Sequence, residues 1–176
     1  MAILIPIDDE LHLSEIRRED APLYVEYFKD PDIYANTLRI PSPYTLKDAE
    51  EFFQRVNEVT EKFGHPVNFA IRSVKGELLG GMGFIHFDPT IHKVEIGYWL
   101  GRPHRGKGIM TRAVKAFCDH AHKRFGFLRF TAGIFVGNKN SVKVVERAGF
   151  QFEGVHRKVY LKDGRYIDCQ MYAKIY

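Results

Sequence analysis

The chain has 176 residues, which suits a single domain, and a domain of this length buries roughly 70% of its unfolded surface. Its composition, 45% hydrophobic and 14% aromatic, predicts a globular core, while no segment approaches the ~20 consecutive apolar residues of a membrane span. The net charge of +4 is mild and no dense run of Lys and Arg is present, so neither a membrane nor a nucleic acid is predicted as a partner.

Three features of the sequence indicate whether the protein binds a metal and in which compartment it is found. Cys118 and Cys169 match no metal-binding or redox spacing, which favours buried thiols in a reducing compartment. His120 and His122 are two residues apart and cannot share a helix face, so we predict no metal site. Residues 1–10 lack the basic and apolar regions of a signal peptide. We therefore expect a soluble cytoplasmic protein.

The first third of the chain predicts a strand, a helix and an irregular segment. Alternating apolar residues over 11–16 indicate the strand. Asp20 is placed to cap a helix that continues to Phe28, with Pro22 in its first turn. Residues 30–44 contain three prolines and show no period. This segment is either a substrate-binding loop or a plain connector.

A second helix and a strand pair follow. Thr45 and Asp48 predict reciprocal capping at the start of a helix over residues 46–62. Residues 67–73 and 77–87 predict antiparallel strands joined by a short turn. Glycines in the second strand predict a bulge or a close approach of another backbone: Gly80, Gly81 and Gly83.

The most informative stretch is residues 94–112. Residues 94–100 alternate in the pattern of a strand, and Gly101 and Pro103 then interrupt regular structure. A helical pattern begins at Ile109. A strand, a short turn and a helix therefore succeed one another here.

Two glycines in this turn predict an anion site. Gly106 and Gly108 permit a tight backbone path that lets N–H groups converge at the N-terminus of the helix. Arg105 and Lys107 add positive charge. We therefore predict that the turn binds a phosphate group.

The remaining elements complete a mixed sheet. They are a helix over 109–125, a strand over 129–136, a short helix that Asn138 or Asn140 caps and Gly149 ends, and a hairpin of strands over 151–161 and 165–176 around Asp163-Gly164. The sequence thus predicts an α/β protein in which helices cover a mixed sheet.

Two nucleotide-binding motifs can be tested against the turn. Residues 101–107 fit the first seven positions of a Walker A loop, but Gly108 stands where Ser or Thr must ligate Mg²⁺. A dinucleotide fingerprint needs a third glycine where the chain has Thr111. The remaining candidate is the pyrophosphate of coenzyme A.

Four blocks of sequence resemble the GNAT N-acetyltransferases in order and spacing. The segment Glu95-Ile-Gly-Tyr-Trp-Leu100 followed by Arg105-Gly-Lys-Gly-Ile-Met-Thr111 resembles the acyl-CoA-binding motif of that family. Residues 138–150 resemble its second cofactor motif, and residues 153–157 and 164–172 resemble its closing hairpin. The likeness covers essentially the whole chain and is greatest to the branch that includes the ribosomal-protein N-terminal acetyltransferases.

The resemblance implies a fold and a co-substrate. The implied fold is the GNAT acyl-CoA N-acyltransferase fold, of the α/β (α+β) class: one domain over residues 1–176, with a mixed, mostly antiparallel seven-stranded sheet splayed at its central strands and about four helices. Acetyl-CoA would be the co-substrate, with pantetheine pairing to backbone freed by the splay and a backbone N–H facing the thioester oxygen. The residues expected to bind it are Trp99, Leu100, Arg105, Gly106, Lys107, Gly108, Ile109, Met110, Thr111, Asn138 and Ser141.

Three positions depart from the family pattern. Pro103 stands where the loop often begins with Gln or Arg, and Arg112 stands where this branch often has Glu. Val145 replaces the Tyr that in many members protonates the departing thiolate. A different proton donor is therefore needed.

The catalytic candidates follow from the resemblance and from position. Glu95, on the central strand just before the splay, is the first candidate base, and the alternative is an ordinary solvated or salt-bridged Glu. Asp168 is the second candidate base, and the alternative is that this residue is paired with an Arg in the hairpin. Ser141 is the candidate acid for the thiolate, and Tyr172 is the second candidate. The ordinary role of Ser141 would be helix capping, and it could serve both.

The expected activity is direct transfer of an acetyl group from acetyl-CoA to a primary amine in a ternary complex, without a covalent acyl-enzyme. The acceptor, a protein N-terminus or a small-molecule amine, is left open. A second copy of the chain is a further candidate partner. The alternative is a catalytically silent acyl-CoA-binding sensor or interaction module, which the missing Tyr at Val145 favours.

Overall fold

An eight-stranded sheet runs through the described part of the chain. This computed structural model describes residues 3–176, with the backbone alone for residues 86–89. The sheet order is β1-β2-β3-β4-β5-β6-β8-β7. The strands are β1 Leu4–Pro6, β2 Leu11–Glu15, β3 Asn68–Ser73, β4 Leu78–Asp88, β5 Lys93–Leu100, β6 Arg129–Phe135, β7 Gln151–Lys162 and β8 Arg165–Ile175.

Five α-helices accompany the strands within residues 3–176. They are α1 Ala21–Tyr27, α2 Pro31–Ala35, α3 Leu46–Phe63, α4 Ile109–Phe125 and α5 Lys139–Arg147. The predicted mixed, mostly antiparallel fold is confirmed, with one more strand and one more helix than the sequence indicated. None of these helices combines the length and the apolar character that crossing a bilayer requires.

The two additional elements are short. β1 has three residues and pairs antiparallel with β2. α2 lies within the segment 30–44 that was expected to be irregular, and its start is capped because the Asp30 side chain accepts a hydrogen bond from the Asp32 N–H. That segment is therefore partly helical, and Pro31 occupies the first helical position, where no N–H is needed.

Local signals produced the predicted ends of the longer elements. Thr45 and Asp48 form the expected capping box: Asp48 N–H donates to Thr45 Oγ1 at 3.3 Å, and Thr45 N–H donates to Asp48 Oδ2 at 2.8 Å. The β7–β8 turn has Asp163 at φ 50° and Gly164 at φ 72°, the left-handed conformations of a two-residue hairpin loop. Asp20 is different, because its side chain makes no capping bond to α1 and instead contacts Arg72.

Contacts within the chain group it into two compact units. The first comprises the chain up to Gly83 together with Tyr98–Lys107, and the second comprises Phe84–Gly97 together with Gly108–Tyr176. That both belong to one domain stays a prediction.

Each unit has its own core. In the first unit, aromatic side chains dominate, including Tyr24, Phe28, Tyr44 and Phe53. In the second, the largest fully buried side chains are Phe117, Phe127, Phe130, Val94, Val114 and Val145, together with Cys118. Cys118 and Cys169 are both free and buried, as expected, and burial raises the pKa of the Cys118 thiol to about 12.

Candidate active site

The predicted anion turn has the backbone that its glycines allow. Gly106 has φ 78° and Gly108 has φ 73°, a left-handed conformation that costs other residues roughly 1–2 kcal/mol. Gly108 is the N-cap of α4 and has no side chain to cap it. The Arg112 N–H donates to Gly108 O at 3.2 Å, the first intrahelical bond of α4. The N–H groups of residues 109–111 therefore have no acceptor within the helix and suit an anion.

A cluster of ion pairs holds the chain just before this turn. Arg105 Nε donates to Leu100 O at 3.0 Å, and its guanidinium lies 2.8 Å from Asp30 Oδ2 and 3.4 Å from Asp32 Oδ2. Arg102 lies 3.4 Å from both carboxylates. Because the Asp30 side chain is only 7% exposed and that of Arg105 is 31% exposed, this pair is the least solvated of these contacts. Arg105 thus fixes the loop in addition to adding charge.

The sequence reasoning missed Asp30 and Asp32 as partners of this loop. They lie at least 70 positions from the arginines, since the Arg105–Asp32 and Arg102–Asp32 contacts span 73 and 70 residues. The Asp-Pro pair at the start of α2 was the only local signal available.

His104 lies in the same loop and meets the first unit's aromatic core. Its Nε2 lies 3.0 Å from the Tyr27 hydroxyl, which donates to Leu78 O at 2.9 Å. Since that hydroxyl has one proton, which it gives to Leu78 O, His104 Nε2 must carry a proton and donate to the Tyr27 oxygen. Burial is the main reason that the pKa of His104 is lowered. The negative charge of Glu77 acts to raise this pKa, and the positive charge of Lys107 acts to lower it.

Trp99 and Leu100, expected along the pantetheine, lie against the glycines of β4. A Cβ at Gly80 would be 2.4 Å from Trp99 O, and a Cβ at Gly81 would be 2.6 Å from Trp99 Nε1. The register of β3 and β4 also shifts beside Gly80. The predicted bulge and close backbone approach are thus confirmed. The Trp99 ring packs edge-on against Tyr24 and Phe28, at centroid distances of 4.9 and 4.8 Å.

Glu95 lies at the end of the parallel ladder between β5 and β6. The pairing covers Lys93–Glu95 and Arg129–Thr131, and the two strands continue beyond it. The Glu95 side chain is half-buried, and a Cβ at Gly133 would lie 3.3 Å from its Oε1 and 3.1 Å from Cys169 Sγ. Burial, and then the Glu95 charge, raise the pKa of the Cys169 thiol to about 11.

Asn138 and Ser141 open α5. Asn138 Oδ1 accepts a hydrogen bond from the Ser141 N–H at 3.1 Å, so Asn138, not Asn140, is the helix cap. The capping bond uses the Ser141 backbone and not its hydroxyl. The Asn138 amide Nδ2 is the part of that side chain that can donate to a ligand.

The other candidate catalytic residues, Asp168 and Tyr172, already make contacts within the protein. Asp168 Oδ1 accepts from the Lys158 N–H at 2.7 Å, and Lys158 has a left-handed backbone at φ 53°. Burial, and then the Glu146 carboxylate, raise the pKa of the Tyr172 phenol, which donates to Glu146. Val145 is fully buried in the second unit's core.

In the described part of the chain, no group of three or more His, Cys, Asp or Glu side chains could hold a metal ion.

Comparison with known proteins identifies the family. The model of the acetyltransferase (GNAT) domain matches residues 10–151. The "Uncharacterized N-acetyltransferase p20" of Bacillus licheniformis is 31% identical over 169 residues, covering 94% of this chain and 92% of the relative. The ribosomal-protein-serine acetyltransferase of Escherichia coli K12 is 27% identical over 176 residues, covering 99% and 98%.

Solved structures share the fold. RimL, a ribosomal L7/L12 alpha-N-protein acetyltransferase, in complex with coenzyme A superposes with a TM-score of 0.87 at 22% identity, covering 98% of each chain. This structural likeness concerns the fold, whereas the domain match and the p20 relative establish the family. The chain therefore belongs to the GNAT acetyltransferase family and is an N-acetyltransferase.

Proposed function

We propose that this enzyme transfers the acetyl group of acetyl-CoA directly to the α-amine of a protein or peptide N-terminus. The observation that carries the cofactor half of this proposal is the glycine turn. Gly106 and Gly108 are left-handed, and the first N–H groups of α4 lack intrahelical acceptors. These groups, with Lys107, would hold the diphosphate of the coenzyme.

The other residues predicted to bind the cofactor would hold the pantetheine arm and position the glycine turn. The backbone of Trp99 and Leu100 would pair with pantetheine, and Asn138 Nδ2 would donate to the pantetheine arm. Arg105, held by Asp30, would position the turn. Acetyl-CoA supplies an activated acyl group as its thioester, and a backbone N–H of this strand would stabilise the oxyanion that develops.

Glu95 and Ser141 would move the protons. As the amine nitrogen bonds to the acetyl carbon and the carbon–sulfur bond breaks, Glu95 would take the amine proton, directly or through water. Ser141 would donate a proton to the departing thiolate. Glu95 is preferred to Asp168 because the Asp168 carboxylate already serves the Lys158 amide.

The preference for an α-amine rests on protonation and on the relatives. An α-amine has a pKa near ~8 and a lysine near ~10.4, so the neutral fraction of lysine at pH 7 is lower by roughly 2.5 logarithmic units. The Escherichia coli relative is named for acetylating serine of a ribosomal protein, and RimL is described as an alpha-N-protein acetyltransferase. The acceptor that we carry over from them is an N-terminal amine. A cytoplasmic location, the absence of a metal and a homodimer stay predictions.

Measurement of thiol release from acetyl-CoA tests the acceptor. A peptide with a free α-amine should give a higher kcat/KM than the same peptide with a blocked N-terminus and one lysine, and a higher kcat/KM than small amines. Faster turnover of the small amines would contradict the peptide assignment. Binding of coenzyme A without transfer to any acceptor would favour the silent binding module.

Replacement of Gly108 by Ala tests the turn. The new Cβ meets no neighbour, so the change acts only through the left-handed backbone at φ 73°. Relaxation of the turn would disperse its N–H groups, and we expect the Kd for coenzyme A to rise about tenfold, as calorimetry would measure.

Gly64→Ala is the matched control. Gly64 ends α3 at φ 67°, and its added Cβ would also meet nothing within 4 Å. The backbone strain is therefore similar, while the Kd should stay unchanged. Equal effects of the two variants on Kd would mean that the turn does not bind the coenzyme.

A further inference from the structure

Glu95 lies on the same side of the sheet as the odd-numbered residues of β6 and β8. In the strand register Glu95 pairs with Thr131 and Thr131 pairs with Ala173, and residues paired in this way point to the same side. The surroundings of Gly133 agree, because a Cβ at that position would lie 3.3 Å from Glu95 Oε1 and 3.6 Å from Met171 Sδ. We term this side of β6, β7 and β8 the Glu95 face, and these strands all belong to the second unit.

Half-buried apolar side chains continue the Glu95 face beyond Gly133. Phe135 is the next residue of β6 on this side, about 7 Å along the strand from Gly133. Ile167 is an odd-numbered residue of β8, and Tyr160 of β7 pairs with it. The ring centroids of Phe135 and Tyr160 are 5.8 Å apart, which shows independently that both lie on this side. Phe135, Tyr160 and Ile167 are half-buried and form what we term the apolar wall, which begins beside the proposed base.

Around the apolar wall, the register places charged and titratable side chains at the edges of the Glu95 face. His156 pairs with Cys169 on the edge strand β7 and is exposed. Lys162 pairs with Arg165 next to the hairpin turn, about 7 Å along the strand from Tyr160. These edges disfavour a bound Lys or Arg side chain, and the uncharged wall itself offers a carboxylate no ion pair.

We propose that the apolar wall binds the side chain of the acceptor's first residue and selects a long apolar side chain, such as that of Leu, Met or Phe. This inference rests on the proposed function, because it assumes that the acceptor amine is placed beside Glu95. The first side chain starts from the carbon that carries this amine, so it must lie close to Gly133 and Phe135. Burial of apolar area stabilises binding in proportion to that area, so Leu gains more from the wall than Ser does.

The position of the wall disfavours a second copy of the chain as its occupant. The most exposed apolar side chains of the hairpin include Phe152, Leu161 and Tyr166, which are 54%, 62% and 66% exposed. Phe152 pairs with Tyr172 and Leu161 pairs with Tyr166, so the register places these residues on the opposite face. A protein surface would be expected to bind there, whereas the half-buried wall next to Glu95 suits a side chain of the substrate.

Four peptides that differ only in their first residue, Leu, Ser, Asp or Lys, test the proposal. We expect kcat/KM to be about tenfold higher for the Leu peptide than for the Ser peptide, as thiol release from acetyl-CoA would measure. Phe135→Ala should bring this ratio close to one. Ile167→Asp should raise kcat/KM for the Lys peptide relative to the Leu peptide, because it places a carboxylate in the wall. A ratio between two substrates does not depend on the fraction of folded enzyme, so partial unfolding cannot imitate these results.

Phe152→Ala is the matched control, because it removes the same ring from the opposite face and should keep the ratio between the Leu and Ser peptides. Equal kcat/KM values for these two peptides with the wild-type enzyme would overturn the proposal. A higher kcat/KM for the Asp or the Lys peptide would also overturn it, since charge at the edges and not the wall would then select the acceptor. Equal losses of the ratio in Phe152→Ala and Phe135→Ala would do the same.

Peptide binding separates this inference from the proposed function. Anisotropy of the labelled peptides is measured with coenzyme A in place of acetyl-CoA, so that no acetyl group can be transferred. The Leu peptide should have a Kd about tenfold lower than the Ser peptide with the wild-type enzyme, and an equal Kd with Phe135→Ala. If no peptide is acetylated, the proposed function fails, while the ratio of Kd values still decides whether the wall selects the first residue. If all peptides are acetylated and bound equally, the proposed function stands and this inference fails.

Discussion

Replacing Glu95 with Gln is expected to lower kcat by about 10²–10³-fold while KM for acetyl-CoA stays within about twofold of the wild-type value. The amide keeps the size of the side chain beside Gly133 but cannot accept a proton. Steady-state thiol release with a saturating α-amine acceptor measures both constants. The loss should be larger for a lysine acceptor, because more of that amine is protonated at neutral pH.

Three further variants make this prediction specific. Glu153→Gln removes a carboxylate that is paired with Arg129 on the surface and should leave kcat unchanged. Asp168→Asn should lower kcat less than Glu95→Gln, since its contact is with the hairpin backbone. Ser141→Ala should also lower kcat. Wild-type kcat in both Glu95→Gln and Ser141→Ala would show that neither residue moves a proton in the reaction.

The sequence predicted the structural features that depend only on residues close to one another along the chain. The Thr45–Asp48 cap, the Asp163-Gly164 turn and the left-handed Gly106 and Gly108 depend on residues within a few positions of one another. These features were identified from the residue types and their spacing alone.

The two shortest elements, β1 and α2, were not predicted from the sequence. β1 has three residues and α2 has five, too few for a period of two or of 3.6 to become visible. For α2, the Asp30-Pro31 pair fits a helix start, but the three prolines of the segment suggested a loop.

Side-chain partners distant in sequence could not be predicted. Asp20 fits an N-cap by its position, yet its carboxylate binds Arg72, 52 residues away. Arg105 was expected to be a simple source of charge, and its pairing with Asp30 depends on how α2 packs in the first unit. The family resemblance placed Glu95 just before the splay, but only the strand register shows that the β5–β6 pairing ends at Glu95 itself.

The Asp20–Arg72 pair predicts the largest effect on stability. The Asp20 and Arg72 side chains are 7% and 3% exposed, and Arg72 Nη2 lies 2.6 Å from Asp20 Oδ2. Arg72 Nε also donates to Ser14 Oγ at 2.8 Å, and Asp20 Oδ2 accepts from the Arg17 N–H at 2.8 Å. Asp20→Asn keeps the volume but leaves a buried guanidinium without its counter-charge. We expect a loss of about 3–5 kcal/mol in the free energy of unfolding.

Urea and thermal unfolding followed by circular dichroism measure this loss, which corresponds to a fall in Tm of roughly 10 °C. Glu51→Gln is the control, because its pair with Lys47 spans 3.8 Å between side chains that are 53% and 84% exposed, and it should change stability by less than about 1 kcal/mol. Adding Arg72→Met to Asp20→Asn should restore part of the stability, since the uncompensated charge is then removed. A loss below about 1 kcal/mol in Asp20→Asn alone would mean that water reaches the guanidinium and that this ion pair does not organise the first unit.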